Sequence, residues 1–217
     1  MAEQFSTVIE QAVKSQRLQI MQKDFKKYPY PERMNEQQCK DYLARQIMKI
    51  AQVDSLDEET YKHIDEVTAW VFDTSKWGIM LMGSLGNGKT TMQRALINYL
   101  SWAYSQSSIE GMMKECRIYN RIAKTIVKDF LKNGDIEGYF HIYGIDDLGE
   151  EPKEVQMYGN ICTPLVDLLE YAYATKKPTI ITTNLDVNAL KEKYGARVAD
   201  RLREMMTIVS FTNASYR

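Results

Sequence analysis

Between residues 83 and 91 the chain reads GSLGNGKTT, directly after the apolar run WGIMLM and directly before a stretch with helical patterning. Gly83, four residues, then Gly88, Lys89 and Thr90 follow the spacing G-x-x-x-x-G-K-[ST] of a phosphate-binding loop. Such a loop dictates its surroundings. A strand has to deliver it and a helix has to leave it, because the glycines turn backbone N–H groups toward an anion and the helix start adds its positive dipole end. On this reading Gly83, Ser84, Leu85, Gly86, Asn87, Gly88, Lys89, Thr90 and Thr91 form the cradle. Lys89 reaches the β- and γ-phosphates, and the Thr90 hydroxyl ligates Mg2+. The plain alternative is a glycine-rich turn beside a surface lysine, and the flanking strand and helix argue against it.

A chain of 217 residues has room for one α/β domain and an accessory part of roughly forty to seventy residues. With 44% hydrophobic and 26% charged residues it has the balance of a soluble globular protein. The net charge of −1 provides no global basic field, so any DNA contact has to be local. Cys39, Cys116 and Cys162 are far apart and lack zinc-site spacing, which predicts free thiols in a reducing cytoplasm. Glu3 and Glu10 fall inside the first helical pattern, which argues against a secretory leader. No apolar run approaches the roughly 20 residues that span a bilayer. A soluble, cytoplasmic protein is expected.

Residues 1–75 read as helical. Phe5, Val8, Ile9, Ala12 and Val13 share a helical face within residues 5–27, and Pro29 and Pro31 then break the pattern. Asn35 with Gln38 predicts a capping box before Cys39, Leu43, Ile47 and Ile50. Ser55 with Glu58 repeats that signal before Tyr61, Ile64, Val67 and Val71. From Trp77 the character changes. Strands are predicted at WGIMLM, ECRIYN, YFHIYGI, PTIITT and TIVSF, with helices over 90–105, 120–132 and 160–174. That alternation predicts a parallel sheet with helices on both faces.

A nucleotide with Mg2+ needs an acid at the end of a neighbouring strand, and YFHIYGIDDLG supplies Asp146 and Asp147. Asp146 reads as the metal-side carboxylate and Asp147 as the group that orients or polarises water. Taken alone, the pair could be an acidic turn. PTIITTN places Asn184 where the carboxyl ends of parallel strands gather around a ligand, either to hold water or for turn chemistry. In YGARVADRLREMM, Arg197 and Arg201 are four apart and share a helix face. They are either a solvated basic face or an arginine finger for a neighbouring subunit's nucleotide.

Together GSLGNGKTT, IDDLGEE, PTIITTNL and GARVADRLREM resemble the DnaC/IstB-like branch of the AAA+ ATPases over about residues 75–217. The resemblance implies a three-layer P-loop NTPase domain with a central five-stranded parallel sheet, and an organisation into helical region 1–75 and ATPase domain 76–217. It implies Walker A over Gly83–Thr91, Walker B at Asp146 and Asp147, sensor 1 at Asn184, and an arginine finger at Arg201 with Arg197 second. An aspartate stands at 147 where most AAA+ proteins have glutamate, as is familiar in this branch. The loop has SLGN where PPGT is usual, which keeps the glycine spacing. Too little chain follows Asn184 for a C-terminal lid, which members of this branch often lack.

The implied activity is Mg2+-dependent ATP hydrolysis coupled to self-assembly on DNA or on a DNA-bound partner. The role implied first is that of a DNA replication helicase loader. The partner is then a replicative helicase, or a transposase if the chain is a transposition helper. Single- or double-stranded DNA is expected to be held weakly by the monomer, and a homo-oligomer to form on ATP binding. No membrane partner is expected. A nucleotide-bound scaffold with little hydrolysis is the reading from another class.

Overall fold

The apolar run at residues 78–83 is an internal strand with a parallel partner on each side. A computed structural model describes residues 35–72, 75–105, 118–134, 140 and 142–216. The elements, in chain order, are α1 (Glu36–Ala51), α2 (Glu58–Phe72), β1 (Gly78–Gly83), α3 (Lys89–Ser105), β2 (Ile118–Ile122), α4 (Ala123–Asn133) and β3 (Ile142–Leu148). They continue with β4 (Val155–Met157), β5 (Asn160–Cys162), α5 (Pro164–Ala174), β6 (Thr179–Thr183), α6 (Val187–Tyr194), α7 (Ala196–Met205) and β7 (Met206–Phe211). The main sheet has five strands in the order β2-β3-β6-β1-β7. Every pairing in it is parallel. This is the α/β architecture that the alternating pattern predicts.

The central strands are mostly buried because both faces of the sheet are covered. On one face Ile79, Leu81, Ile142, Ile180 and Val209 pack with Met92 and Leu96 of α3. Cys39, Leu43, Ile47, Ile64 and Val67 of α1 and α2 belong to the same core. On the other face Met80, Tyr143, Ile145 and Ile181 meet Ile126 of α4, Leu168 and Leu169 of α5, and Leu202 of α7. Among the described residues, no helix is long and apolar enough to cross a membrane.

The expected capping box at Asn35 is present, with Asn35 Oδ1 accepting from the Gln38 N–H and Gln38 Oε1 accepting from the Asn35 N–H, both at 3.0 Å. At α2 the sequence expectation needs correcting. Asp57, not Ser55, caps the helix, accepting the Thr60 N–H at 2.7 Å. An Asp and a Ser are comparable caps, and the helix starts where Asp57 puts it. The helix expected from 160 starts at Pro164, where a ring without an N–H costs nothing, and residues 155–162 form the antiparallel hairpin β4–β5. Strand β2 runs on to Ile122, two residues past the expected end, and the helix after it starts at Ala123. Helix α6, not expected, starts at Val187, with Asp186 accepting the Ala189 N–H at 2.8 Å. The amphipathic pattern over residues 5–27 lies outside the described residues.

Candidate nucleotide site

The loop that leaves β1 has no room for side chains at its first glycine. A Cβ on Gly83 would lie 2.2 Å from the Phe211 carbonyl oxygen of β7 and 2.6 Å from Asn87 Nδ2. Gly88 has φ +93°, a conformation that glycine adopts without strain. The chain then enters α3 at Lys89. The Lys89 side chain is 5% exposed and folds back on its own loop. It donates to Gly83 O at 2.9 Å, Ser84 O at 2.6 Å and Asn87 Oδ1 at 3.0 Å. Burial pushes its pKa below the ordinary lysine value, against the pull of Asp147 and Asp146. A buried cation satisfied only by neutral oxygens is the group that gains most when an anion arrives.

Thr90 follows, and its hydroxyl donates to Asp146 Oδ1 at 2.9 Å. The loop and β3 therefore meet side chain to side chain. Asp146 is 7% exposed. Oxygens adjacent around a Mg2+ ion with its ligands at about 2.0–2.1 Å lie ~2.9 Å apart, so this pair fits a hard octahedral cation. Asp147 adds charge close by. Burial, the Asp146 carboxylate and Glu150 push its pKa up, while Lys89 and Lys124 partly offset them. That accumulation of negative charge is a second reason for a cation here.

Backbone geometry explains how two consecutive aspartates can both face the site. Ile145 pairs with Ile181 and Leu148 with Thr183, so Asp146 and Asp147 together oppose Thr182 alone. This is a β-bulge, which re-aims side chains. Asp147 sits in the left-handed region with φ +55°. Thr182, fully buried, accepts the Asp147 N–H at 2.8 Å and donates to Asp146 Oδ1 at 2.6 Å. Thr183 donates to Leu148 O at 2.7 Å. Asn184 is exposed, one residue past the end of β6.

The loop after the bulge is held from α6. Gly149 N–H donates to Glu151 Oε2 at 2.9 Å, and the Tyr194 hydroxyl donates to Glu151 Oε1. Lys193 Nζ donates to Gly149 O at 2.6 Å and Glu151 O at 2.5 Å. Burial and the Glu151 carboxylate push the Tyr194 pKa far up.

Arg197 and Arg201 stay apart from the loop. Both lie on α7, which delivers the chain to β7 at Met206, the partner of Gly78 at the far end of β1 from Gly83. At ~3.3 Å per residue that end of the strand is ~17 Å from the loop. Arg201 Nη1 pairs with Glu170 Oε1 at 2.8 Å, and its guanidinium lies 5.0 Å from the Tyr173 ring centroid. Arg197 Nε pairs with the same Glu170 oxygen at 3.2 Å.

The structure thus brings Gly83–Thr91, Asp146 and Asp147 together, sets Asn184 at the rim, and pairs the two arginines with Glu170 of α5. Thr182 is the site neighbour that sequence reasoning missed. The available signal was a pair of hydroxyls, Thr182 and Thr183, inside a buried strand, since buried hydroxyls need partners.

Solved structures share this fold. The crystal structure of the DnaC helicase loader matches with a TM-score of 0.51 at 20% identity, covering 74% of this chain and 94% of that one. The crystal structure of DnaI matches with a TM-score of 0.53 at 22% identity, covering 80% and 93%. A structure described as a DNA replication initiation factor matches with a TM-score of 0.50 at 17% identity, covering 73% of this chain and 47% of that chain. The fold is the one shared by the DnaC helicase loader and DnaI structures. No family model matches the chain, and no curated protein matches it by sequence.

Proposed function

We propose that the chain binds ATP with Mg2+ at Gly83–Thr91 and hydrolyses it, and that binding drives assembly on DNA or on a DNA-bound partner. The observation that carries this reading is the junction of Thr90 with Asp146, beside a buried Lys89 held only by neutral oxygens. In this reading the loop's N–H groups and Lys89 hold the phosphates, and Thr90 and Asp146 hold the metal. The metal would neutralise charge on the transferring phosphoryl group. Asp147 polarises the attacking water, and Asn184 at the strand end orients it. Arg201, with Arg197 beside it, serves a neighbouring subunit, a reading supported by its pairing with Glu170 of α5 and not with its own loop.

The likeness to a structure described as a DnaC helicase loader supports helicase loading as the first role, with a replicative helicase as partner; residues 1–75 are assigned to meet it by analogy alone. Transposition help, with a transposase as partner, is the same chemistry directed at a different DNA-bound protein. The test is ATP turnover and sedimentation of the full chain, with and without single-stranded DNA. Turnover that rises together with assembly is the expected result. Assembly on ATP without turnover would make the protein a nucleotide-bound scaffold, and no nucleotide binding would overturn the proposal.

A further inference from the structure

A loop that turns its N–H groups toward an anion turns carbonyls the other way, and those carbonyls need donors. Here the segment after β7 supplies them. The Tyr216 N–H donates to Gly86 O at 3.0 Å, and Asn213 Nδ2 donates to Asn87 O at 3.3 Å. Asn87 Nδ2 donates to Phe211 O at 2.7 Å. The Tyr216 ring lies against Gly88, 3.4 Å from where a Cβ would stand. The far end of the same side chain reaches α2. Its hydroxyl donates to Asp57 Oδ2 at 2.8 Å and lies 3.1 Å from Thr60 Oγ1. Asp57 is the residue that caps α2.

We infer that Tyr216 is a positioning residue for the phosphate loop and the tie that links the loop's state to helix α2. The inference rests on the proposed reading of Gly83–Thr91 as a nucleotide-phosphate loop. To reach a phosphate, Lys89 has to leave Gly83 O, Ser84 O and Asn87 Oδ1. Asn87 loses a partner in that step, and Asn87 is the residue held through its side chain by Phe211 at the end of β7 and through its carbonyl by Asn213 just after it. Any shift of Gly86–Gly88 then pulls on the Tyr216 N–H and ring, and the Tyr216 hydroxyl carries it to Asp57 and Thr60. The path is short and covalent except for hydrogen bonds at each end. It joins the nucleotide site to the helical region that meets a partner in the proposed function.

Hydrogen exchange on the full chain tests this, with a non-hydrolysable ATP analogue and Mg2+ as the probe. In the wild type the analogue should slow exchange in the loop and also change it at the Thr60 and Tyr61 amides, which bond to Asp57. In Tyr216→Phe, which keeps the ring and the N–H and loses only the hydroxyl's bonds to Asp57 and Thr60, the loop should still respond, with affinity reduced no more than roughly fivefold. The response at Thr60 and Tyr61 should vanish. Tyr216→Ala, which also strips the ring from Gly88, should weaken the analogue further. An equal response at Thr60 and Tyr61 in the wild type and Tyr216→Phe would overturn the tie, as would a responsive wild-type loop with a silent α2. A wild-type loop that ignores the analogue would instead defeat the nucleotide reading. The ligand-free comparison then decides the tie by itself. Faster exchange at Thr60 in Tyr216→Phe supports it, and unchanged exchange there and in the loop overturns it.

Discussion

Thr182 and Asp146 are joined by a hydrogen bond of 2.6 Å across the bulge in β3, and the same Thr182 hydroxyl accepts the Asp147 N–H. One buried oxygen thus fixes the carboxylate that meets Thr90 and the backbone of the residue that follows it. Thr182→Val keeps the shape and removes that oxygen. Nucleotide affinity is expected to stay near wild type while turnover falls by ~10–100-fold, the usual cost of losing a residue that orients a metal ligand. Thr182→Ser should recover most of the loss. Wild-type turnover in Thr182→Val would show that the bulge holds its geometry unaided.

Lys89→Ala removes the loop's buried cation. Nucleotide affinity is expected to fall by on the order of 100-fold, since hydrogen bonds to charged groups are the strong ones. A calorimetric titration checks it. Retained affinity would mean that the backbone N–H groups suffice and that Lys89 only props its own loop.

Asp147→Asn should have opposite effects on stability and turnover. Burial and neighbouring carboxylates raise the Asp147 pKa above its ordinary 3.8. A carboxyl whose folded pKa is raised lowers stability at pH values above that pKa, and the penalty is relieved as pH falls through it. The variant should therefore melt higher than the wild type near neutral pH without nucleotide, by a few degrees. The gap should close as pH drops toward 3.8. Asparagine also suits the left-handed backbone at this position. Turnover should fall while nucleotide binding persists. Lower stability at neutral pH would contradict the charge argument.

Arg201→Ala should leave nucleotide affinity of the monomer unchanged, because α7 enters β7 at the end of the sheet opposite the loop. Turnover of the assembly should fall by ~10³ or more if a trans-acting finger operates. Arg197→Ala should do less, since Arg197 is more exposed and shares Glu170 with Arg201. Mixing Arg201→Ala with Asp147→Asn should restore part of the activity, because some interfaces then pair an intact loop with an intact arginine. If no mixture exceeds either variant alone while sedimentation confirms assembly, Arg201 is the Glu170 partner and nothing more.

The five strands of the main sheet were legible because each carries a short core of Ile, Leu, Met, Val or Tyr between turn or helix signals, a pattern that a sheet covered on both faces favours. The loop was legible because glycine spacing and one lysine encode it locally. The remainder depends on contacts that short-range patterns do not encode. The β4–β5 hairpin is only three residues a side, too short for a period to register. Thr182 matters only because a bulge in another strand stands opposite it. Glu151 and Tyr194 are 43 residues apart and meet through the packing of α6. The Tyr216 contact with Asp57 spans 159 residues and has no sequence signature.

The positive φ at Asp147 also bears on which acids position 147 can accept. In the left-handed region a short side chain that bonds locally is tolerated, and Asn, Asp and Gly are the residues that visit it at least cost. A glutamate there is therefore not the same carboxylate on a longer arm. It would hold the left-handed backbone at a higher cost and carry its carboxylate one methylene further from the Thr182 hydroxyl that anchors the Asp147 N–H. Asp147→Glu in this chain therefore adds a backbone cost of about 1–2 kcal/mol on top of a longer arm, and aspartate is the acid that meets this φ most cheaply.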